Sequence, residues 1–254
     1  MKKLLAVFAH PDDEAFGPGG TLAKYAHEGV EIHLLSATRG EAGEDDRLKS
    51  KIPFDFAQGK QKSKLRRETK IHHLREKELL SSAKVLGITK VEFLDFADGR
   101  LCNANYHDLA RKIREKITEF EPQVILTHDR LGISGHLDHI AVSLTTTYAY
   151  LKTKSAQKLY YLVLPAKWYD KKLADYFIYF PEGYNEDDIT TKINYSKYWD
   201  IKKKAMLQHK TQMNDVRDLL VRYEKWPKVD NFILKYYRKV KVKFPESDLF
   251  AGIK

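Results

Sequence analysis

Short apolar runs alternate with amphipathic stretches over residues 1–165, and this alternation constrains the fold more than any other feature of the sequence. Strands that alternate with helices predict βαβ units and a mostly parallel, Rossmann-like sheet with helices on both faces. Continuous apolar runs such as LLAVFA and QVILT are typical of strands buried on both sides. The predicted strands span residues 4–10, 30–38, 90–95, 123–128 and 159–164, and the predicted helices span residues 20–28, 64–86, 107–120 and 138–151.

The chain is predicted to form a single α/β domain, with a Rossmann-like core over residues 1–165 and a C-terminal extension over residues 166–254 that caps it. Its 254 residues include 12 Phe, 15 Tyr and 3 Trp, which supply ample apolar area for one large core. In the extension we expect a strand near 190–195 and helices near 196–209 and 212–223. Residues 44–64 are polar, charged and aperiodic, which predicts a long loop or lid beside the ligand edge of the sheet.

The charge of the chain is unevenly distributed. The formal net charge is +10, of which residues 1–150 carry +1 and the remaining 104 residues carry +9. A basic C-terminal third favours anionic substrates, nucleic acid or a membrane surface, whereas the simpler interpretation is a solvated lysine-rich surface. No apolar run approaches the roughly 20 residues that a membrane span requires. The single cysteine, Cys102, cannot form an internal disulfide. It therefore favours a reducing compartment, and we expect a cytoplasmic protein.

Two clusters of polar side chains directly follow predicted strands. The segment AHPDDE, residues 9–14, follows the first strand, and GHLDH, residues 135–139, follows the fourth. Ligands of open α/β sheets bind at the carboxyl ends of strands, and the ends of these two strands can be neighbours. Each cluster alone also fits surface decoration or a helix N-cap. Together they predict one site, because ionised carboxylates resist burial unless they are paired or bind a metal.

The residue types in these clusters suit a catalytic metal. Three protein ligands plus a water are typical of catalytic zinc, whereas structural zinc has four protein ligands. One nitrogen and one oxygen from the first cluster with one nitrogen from the second would give a His₂Asp set, which also fits iron, manganese or cobalt. Such a metal lowers the pKa of its water toward about 7 and polarises a carbonyl. The remaining carboxylate could then act as general base, and the remaining histidine could face the oxyanion.

Several segments carry a family resemblance. AHPDDE (9–14), TRGEAG (38–43) and GHLDH (135–139) resemble the signatures of the PIG-L/LmbE-like deacetylases. The resemblance extends over most of residues 3–150 and thinly over the rest, where HKTQ (209–212) is similar to a His-x-(Ser/Thr)-Gln element of the family. The other matching stretches are residues 74–80, 86–88, 93–101 and 122–129.

This resemblance implies a ligand set and a general base. By position, His10, Asp13 and His139 would bind zinc, and Asp12 would take a proton from the zinc-activated water. Another divalent transition metal could replace zinc in such a set. The implied activity is that of a metal-dependent hydrolase that removes the N-acetyl group from an N-acetylglucosamine-containing substrate.

The resemblance also implies supporting roles. His136 would stabilise the oxyanion, and Asp138 would orient the ring of His136 from behind. Arg39 and Glu41 resemble substrate-contacting positions, although an ion pair that orders the loop explains them equally well. Asp98 would hydrogen-bond a sugar hydroxyl or form the turn with the glycine that follows it.

The expected partner is a small soluble amino-sugar conjugate, since no membrane helix precedes the AHPDDE segment. A malate conjugate would suit the positive charge, but charge does not choose among conjugates. One alternative is a zinc amidase acting on a different amide, such as a thiol conjugate. Another is a basic nucleic-acid-binding module that uses residues 202–204 and 235–243 with Tyr236 and Tyr237. Steeply salt-dependent binding to DNA or RNA, without need of a metal, would distinguish that module. The sequence leaves a homo-oligomer open.

Overall fold

The computed structural model of the protein describes residues 1–46, 61–103, 106–171 and 179–253. The predicted loop at residues 44–64 therefore lies largely outside the described residues. Its end differs from the prediction, because the long helix begins at Gln61 rather than at residue 64. Among the described helices, none has the length and apolarity that a membrane span requires.

In the described part of the chain, seven strands form one sheet in the order β3-β2-β1-β4-β5-β7-β6. The first five pair in parallel, whereas β7 runs antiparallel to both β5 and β6. The mostly parallel α/β fold predicted from the sequence is thus confirmed. The strands are β1 (Lys3–Phe8), β2 (Glu31–Ser36), β3 (Lys90–Phe93), β4 (Val124–His128), β5 (Lys158–Val163), β6 (Thr191–Asn194) and β7 (Val229–Tyr237).

Helices pack on both faces of this sheet, because side chains alternate along each strand. On β1, Leu4, Ala6 and Phe8 join one buried cluster, and Leu5 and Val7 join the cluster on the opposite face. The helices of the described residues are α1 (Asp13–Phe16), α2 (Gly19–His27), α3 (Gln61–Leu86), α4 (Tyr106–Phe120), α5 (Gly132–Gly135), α6 (Leu137–Leu151), α7 (Trp199–Met206) and α8 (Met213–Lys225).

The strand order reverses between β1 and β4, which are direct neighbours with Leu4 paired to Val124. The residues after β1 and after β4 consequently emerge side by side at the carboxyl edge. This is the topological switch point at which open α/β sheets bind ligands. The prediction that the ends of the first and fourth strands meet is confirmed.

The C-terminal part contains one strand that the sequence analysis missed. Strand β7 lies between β5 and β6, and Asp230, Asn231 and Phe232 within it are buried. The basic stretch considered for nucleic-acid binding therefore begins inside a strand of the sheet, with the Tyr236 ring stacked on Tyr150. Lys202, from the second basic stretch, is fully buried against Asp230 and cannot contact a phosphate. The extension supplies two strands to the sheet, and its description as a cap stays a prediction.

A buried ion pair fastens the C-terminal segment to β5. The Lys158 Nζ lies 2.5 Å from Glu246 Oε1, and the Tyr160 hydroxyl donates to Glu246 Oε2 at 2.6 Å. Lys158→Met would leave the Glu246 carboxylate buried without its cation, so we expect a loss of about 3–5 kcal/mol in the free energy of unfolding. Urea denaturation of the wild type and the variant measures this loss of stability. The double variant Lys158→Met/Glu246→Gln should recover most of the loss, and a single-variant loss below about 1 kcal/mol would contradict this account.

Candidate active site

Three side chains converge where β1 and β4 end. His10 Nδ1 lies 3.2 Å from His139 Nε2, and Asp13 Oδ1 lies 3.3 Å from the same His139 atom. Asp13 Oδ2 is 3.8 Å from His10 Nδ1. Ligands of a tetrahedral zinc with bonds of about 2.0–2.1 Å are separated by about 3.4 Å, so these spacings fit one metal ion. The structure thus brings together the three residues that the resemblance implied as ligands.

The hydrogen bonds behind each ring determine which nitrogen offers a lone pair. His10 Nε2 faces the carboxylates of Asp98 (3.0 Å) and Asp138 (3.3 Å), so Nε2 carries a proton and Nδ1 is the ring atom that points inward. His139 Nδ1 donates to the Gly132 carbonyl at 3.1 Å, which leaves the Nε2 lone pair pointing inward. Two ring nitrogens and a carboxylate that face one another are held together by a proton between the rings or by a metal ion that takes its place. The donor set therefore fits a divalent transition metal.

The pKa shifts of the cluster are those of a site that attracts positive charge, whether a proton on His10 or a metal ion. Burial disfavours the charged form of His10, but the hydrogen bonds with Asp138 and Asp98 outweigh it and raise its pKa to about 10. Burial lowers the pKa of His139 well below its usual value and keeps this ring neutral. Burial opposes ionisation of Asp13, yet His139 and His128 hold the pKa of its carboxyl well below the usual range. The pocket is built to hold positive charge beside Asp13.

Asp12 has a strained backbone beside this cluster. Its φ of 121° lies in a region that non-glycine residues seldom adopt, and such strain persists only where surrounding contacts enforce it. Here the Asp12 N–H donates to Glu14 Oε2 at 3.0 Å, and Arg75 Nη2 donates to Asp12 Oδ2 at 2.7 Å. Burial raises the pKa of Asp12 to about 7, against the lowering effect of Arg75. A carboxyl group with a pKa near neutrality suits general-base catalysis.

Glu14 links this strained turn to the C-terminal part of the chain. Its Oε1 accepts hydrogen bonds from Ser82 Oγ at 2.5 Å and from His209 Nε2 at 2.8 Å, and all three residues are buried. The sequence analysis left the role of His209 open, and the structure places it behind the Asp12 turn. Sequence reasoning missed both Glu14 and Ser82 as site residues.

Arg75 is a second residue that the sequence analysis did not single out. It is only 4% exposed, and besides Asp12 its guanidinium donates to the carbonyls of Pro11 (2.7 Å) and Gly40 (2.9 Å). A Cβ at Gly40, whose φ is +72°, would lie 2.5 Å from the guanidinium, so this glycine makes room for it. The sequence did contain a signal for it. Arg75, Glu78 and Ser82 are polar residues at helical spacings of three and four, so they share one face of α3, and that face is buried.

Replacing Arg75 tests this support for Asp12. Arg75→Lys keeps the positive charge but loses the planar guanidinium group, whose nitrogens donate to Asp12, Pro11 and Gly40 at the same time. We expect the metal content to stay at the wild-type level and kcat/KM to fall by about tenfold or more. Metal analysis and steady-state kinetics measure the two quantities. A variant with wild-type kcat/KM would show that the guanidinium does not position Asp12.

The carboxylate of Asp138 contacts a residue that the sequence analysis did not name as its partner. It lies 3.3 Å from His10 Nε2 and accepts the Gly99 and Leu101 N–H groups at 2.8 and 3.0 Å. Its predicted role in orienting the His136 ring stays a prediction. His136 uses Nδ1 to accept the Asp138 backbone N–H at 3.2 Å, as N-cap of α6. This bond leaves the His136 proton on Nε2, where it can be donated.

His128, at the end of β4, belongs to the cluster although the sequence analysis gave it no role. Its Nε2 lies 3.2 Å from Asp13 Oδ2, and its ring stacks on His139 at 3.9 Å between centroids. Asp13, His128 and His139 also offer ligand atoms within 4.8 Å of one another, as do His10, His136 and His139. Measuring the metal content of alanine variants of these histidines would show which of the three possible ligand sets binds the metal.

The three predicted substrate contacts have different positions. Asp98 borders the cavity, but its Oδ1 holds His10, which itself lowers the pKa of Asp98 to about 2 against the effect of burial. Arg39 pairs with Asp95 at 2.6 Å and with Glu76 at 2.9 Å, and it does not line the cavity. Glu41 accepts the Asp98 N–H at 2.9 Å. Arg39 and Glu41 order their loop, and direct contact with substrate stays a prediction.

A cavity of about 470 Å³ opens above the cluster. His10, Asp12, Asp13, His136 and His139 form its polar floor, and Gly43 and Ala42 border it. Its wall comes from β5, β7 and α8 and is largely apolar, with Phe16, Leu164, Trp168, Phe180, Leu219, Tyr223 and Trp226. Pockets of this size and make-up bind small molecules in proteins.

Comparison with known proteins identifies this arrangement. The family model "PIG-L: GlcNAc-PI de-N-acetylase" matches residues 5–150, which include both clusters. The chain belongs to the PIG-L family. The resemblance inferred from the sequence motifs is thereby confirmed.

Curated relatives of this PIG-L protein are amide hydrolases. Mycothiol S-conjugate amidase of Streptomyces coelicolor is 27% identical to it over 99% of this chain and 97% of the relative. The 1D-myo-inositol 2-acetamido-2-deoxy-alpha-D-glucopyranoside deacetylase of Rhodococcus jostii is 30% identical over 84% of this chain and 82% of the relative. The chain is therefore a member of a deacetylase and amidase family.

A solved structure shows the same fold with a different reaction. GalB, the 4-carboxy-2-hydroxymuconate hydratase of Pseudomonas putida KT2440, superimposes with a TM-score of 0.69 over 96% of this chain and all of that chain, at 18% identity. This likeness establishes the fold alone. Because one fold supports several chemistries, the reaction of this PIG-L protein has to be argued from its site.

Proposed function

We propose that the protein is a zinc-dependent N-acetylglucosaminyl deacetylase that acts on a small soluble N-acetylglucosamine conjugate. One observation carries the proposal: the inward ring nitrogens of His10 and His139 meet the Asp13 carboxylate, with Asp12 adjacent, at the floor of a cavity. The Rhodococcus deacetylase, at 30% identity, supports the reaction class. The cytoplasmic location, argued from the single cysteine, stays a prediction.

Zinc held by His10, Asp13 and His139 would lower the pKa of a water toward about 7 and polarise the amide carbonyl. Asp12 takes the proton of the attacking water, whose oxygen forms a bond to the carbonyl carbon. His136 donates its Nε2 proton in a hydrogen bond to the carbonyl oxygen as negative charge develops there. The C–N bond then breaks, and Asp12 passes its proton to the leaving nitrogen. The products are acetate and a free amine.

Several residues act on this chemistry indirectly. Asp98 and Asp138 hold the His10 ring, and Arg75 and Glu14 hold the side chain and backbone of Asp12. Two hydrogen bonds join the loops of Glu41 and Asp98. Glu41 Oε1 accepts the Asp98 N–H, and Asp98 Oδ2 accepts the Ala42 N–H at 3.0 Å. Such contacts fix the reacting groups before the substrate arrives, which is how active sites keep their geometry.

The second candidate is hydrolysis of a different amide on an amino-sugar conjugate. The Streptomyces relative, an amidase on mycothiol S-conjugates, and the large cavity favour this reading. The same floor residues would perform it, so only the acyl group distinguishes the two candidates.

The deciding experiment loads the protein with zinc and measures acetate and free amine across a panel of soluble N-acetylglucosamine conjugates. We expect equimolar acetate and amine, both lost with chelator. Amine without acetate, from conjugates with larger acyl groups, would favour the amidase. No product from any conjugate would overturn the proposal.

A further inference from the structure

We propose that an aromatic part of the cavity wall is a subsite for an uncharged aromatic aglycone of the substrate. This inference rests on the proposed deacetylase function and specifies its substrate class. The subsite consists of Trp168, Tyr223 and Trp226, which we call the aromatic wall. All three residues line the same cavity as His10, Asp13 and His139.

The aromatic wall is a continuous set of ring contacts built from two parts of the chain. The Trp168 and Trp226 indoles stack at 4.8 Å between centroids with an angle of 10°, and the Tyr223 ring meets Trp226 edge-on at 5.7 Å. Trp168 ends a short 3-10 turn after β5, whereas Trp226 directly follows α8. Stacked, half-buried indoles that border a cavity offer a large, rigid apolar face at a low cost in side-chain entropy.

This wall is tied rigidly to the candidate catalytic floor. The Tyr223 hydroxyl donates to the carbonyl of Phe16, the last residue of the short helix that starts at Asp13. Lys202 Nζ lies 4.2 Å from the centre of the Tyr223 ring and donates to the Gly17 carbonyl at 2.6 Å. A ligand seated on the wall is therefore positioned relative to Asp13. Because C1 of an amino sugar is bonded to C2, which bears the acetamido group, an aglycone at C1 lies next to the reacting amide and enters the same cavity that this wall borders.

The charges of the cavity do not favour the anionic conjugates that the overall charge of the chain suggested. Among the described residues that line it, the acidic ones are Asp12, Asp13, Asp98, Asp215, Asp218 and Asp230, and the basic ones are Arg75 and Arg222. Arg75 is committed to Asp12, and Arg222 lies 3.3 Å from Asp170. Asp230 is paired with the buried Lys202, and among the described lining residues no basic side chain remains uncommitted for a malate or phosphate group.

The size of the cavity agrees with a conjugate of two moieties. Its volume of about 470 Å³ exceeds the space that one amino-sugar ring occupies, and its floor already accounts for the reacting amide. The remaining space is bordered by the aromatic wall together with Leu164 and Leu219. Burying an aryl group against such a surface strengthens binding by about 1.5–3 kcal/mol, which corresponds to about tenfold to 150-fold in affinity.

The test compares kcat/KM for the methyl, phenyl and malyl glycosides of N-acetylglucosamine, in both anomers. We expect the phenyl glycoside to be preferred over the methyl glycoside by about tenfold or more, and the malyl glycoside to be the poorest substrate. Trp168→Ala and Trp226→Ala should remove the phenyl preference and leave turnover of the methyl glycoside within about twofold. Trp226→Phe should retain part of the phenyl preference that Trp226→Ala loses. Tyr237 is an exposed aromatic residue outside the cavity, so Tyr237→Ala should keep the full preference.

Three results would overturn the subsite: equal rates for phenyl and methyl glycosides, a malyl preference, or equal losses on all glycosides in the tryptophan variants. Faster hydrolysis of N-phenylacetylglucosamine, with no effect of a phenyl group at C1, would place the aromatic preference on the acyl side and would also overturn the subsite. Should no glycoside release acetate, the deacetylase proposal fails and calorimetry decides the subsite. Phenyl glucosaminide should then bind at least about tenfold more tightly than the methyl compound, and Trp226→Ala should abolish the difference. Equal binding would refute the subsite by itself.

Discussion

Asp12→Asn should retain the metal and lose activity by about 10²–10⁴-fold, because an amide cannot accept the proton of the attacking water. The substitution preserves the surroundings of the side chain. Arg75 can still donate to the remaining carbonyl oxygen, and the Asp12 N–H keeps its bond to Glu14. The loss should therefore appear in kcat, while the metal content measured by mass spectrometry stays equal to that of the wild type.

The matched control is Asp200→Asn, which removes the charge of an aspartate whose side chain is 80% exposed on α7. It should change neither kcat nor metal content. Full activity of Asp12→Asn would eliminate Asp12 as the general base. Loss of metal in Asp12→Asn would instead make Asp12 a ligand.

His139→Ala should empty the metal site and abolish turnover. Its Nε2 is the atom closest to both other donors, at 3.2 Å from His10 Nδ1 and 3.3 Å from Asp13 Oδ1. Without it, one nitrogen and one carboxylate remain, too few ligands for a catalytic zinc. We expect the metal content to fall from about one ion per chain to near zero, and activity to fall below detection.

His136→Ala is the informative partner of this variant, since it removes a ring only 4.9 Å from that of His139. It should keep the metal and slow turnover by about 10²–10³-fold, the usual effect of removing one oxyanion donor. Loss of metal in His136→Ala with retention in His139→Ala would reverse the assignment of the two histidines. Circular dichroism of both variants verifies that the fold is intact.

The parallel core was predictable because its signals are local. Strands β1, β4 and β5 are short and almost wholly buried, and burial on both faces leaves little freedom in how such a run folds. Strand β7 escaped prediction because VDNFILKYY mixes apolar, acidic and basic residues. Only its position between β5 and β6 explains why Asp230 and Asn231 are buried, with Asp230 accepting hydrogen bonds from Thr21 and Lys202.

The residues that support the site were not predicted from the sequence, for a related reason. Arg75 lies 63 positions from the Asp12 carboxylate that it contacts, and His209 lies 195 positions from Glu14. No local pattern pairs such residues, because the contacts arise only when α3 and the segment after α7 pack over the end of β1. The contact of the Asp138 carboxylate with His10, a residue of the first cluster, escaped prediction for the same reason.

The sequence by itself determined the α/β class, the family and the two clusters whose residues meet at the cavity floor. It could do so because the clusters directly follow β1 and β4, and parallel strands deliver their carboxyl ends to the same edge. The tertiary structure decided which ring nitrogens face inward, what holds the strained Asp12, and that the cavity is acidic and aromatic in a basic protein. These properties depend on distances between side chains far apart in the chain, and only packing sets those distances.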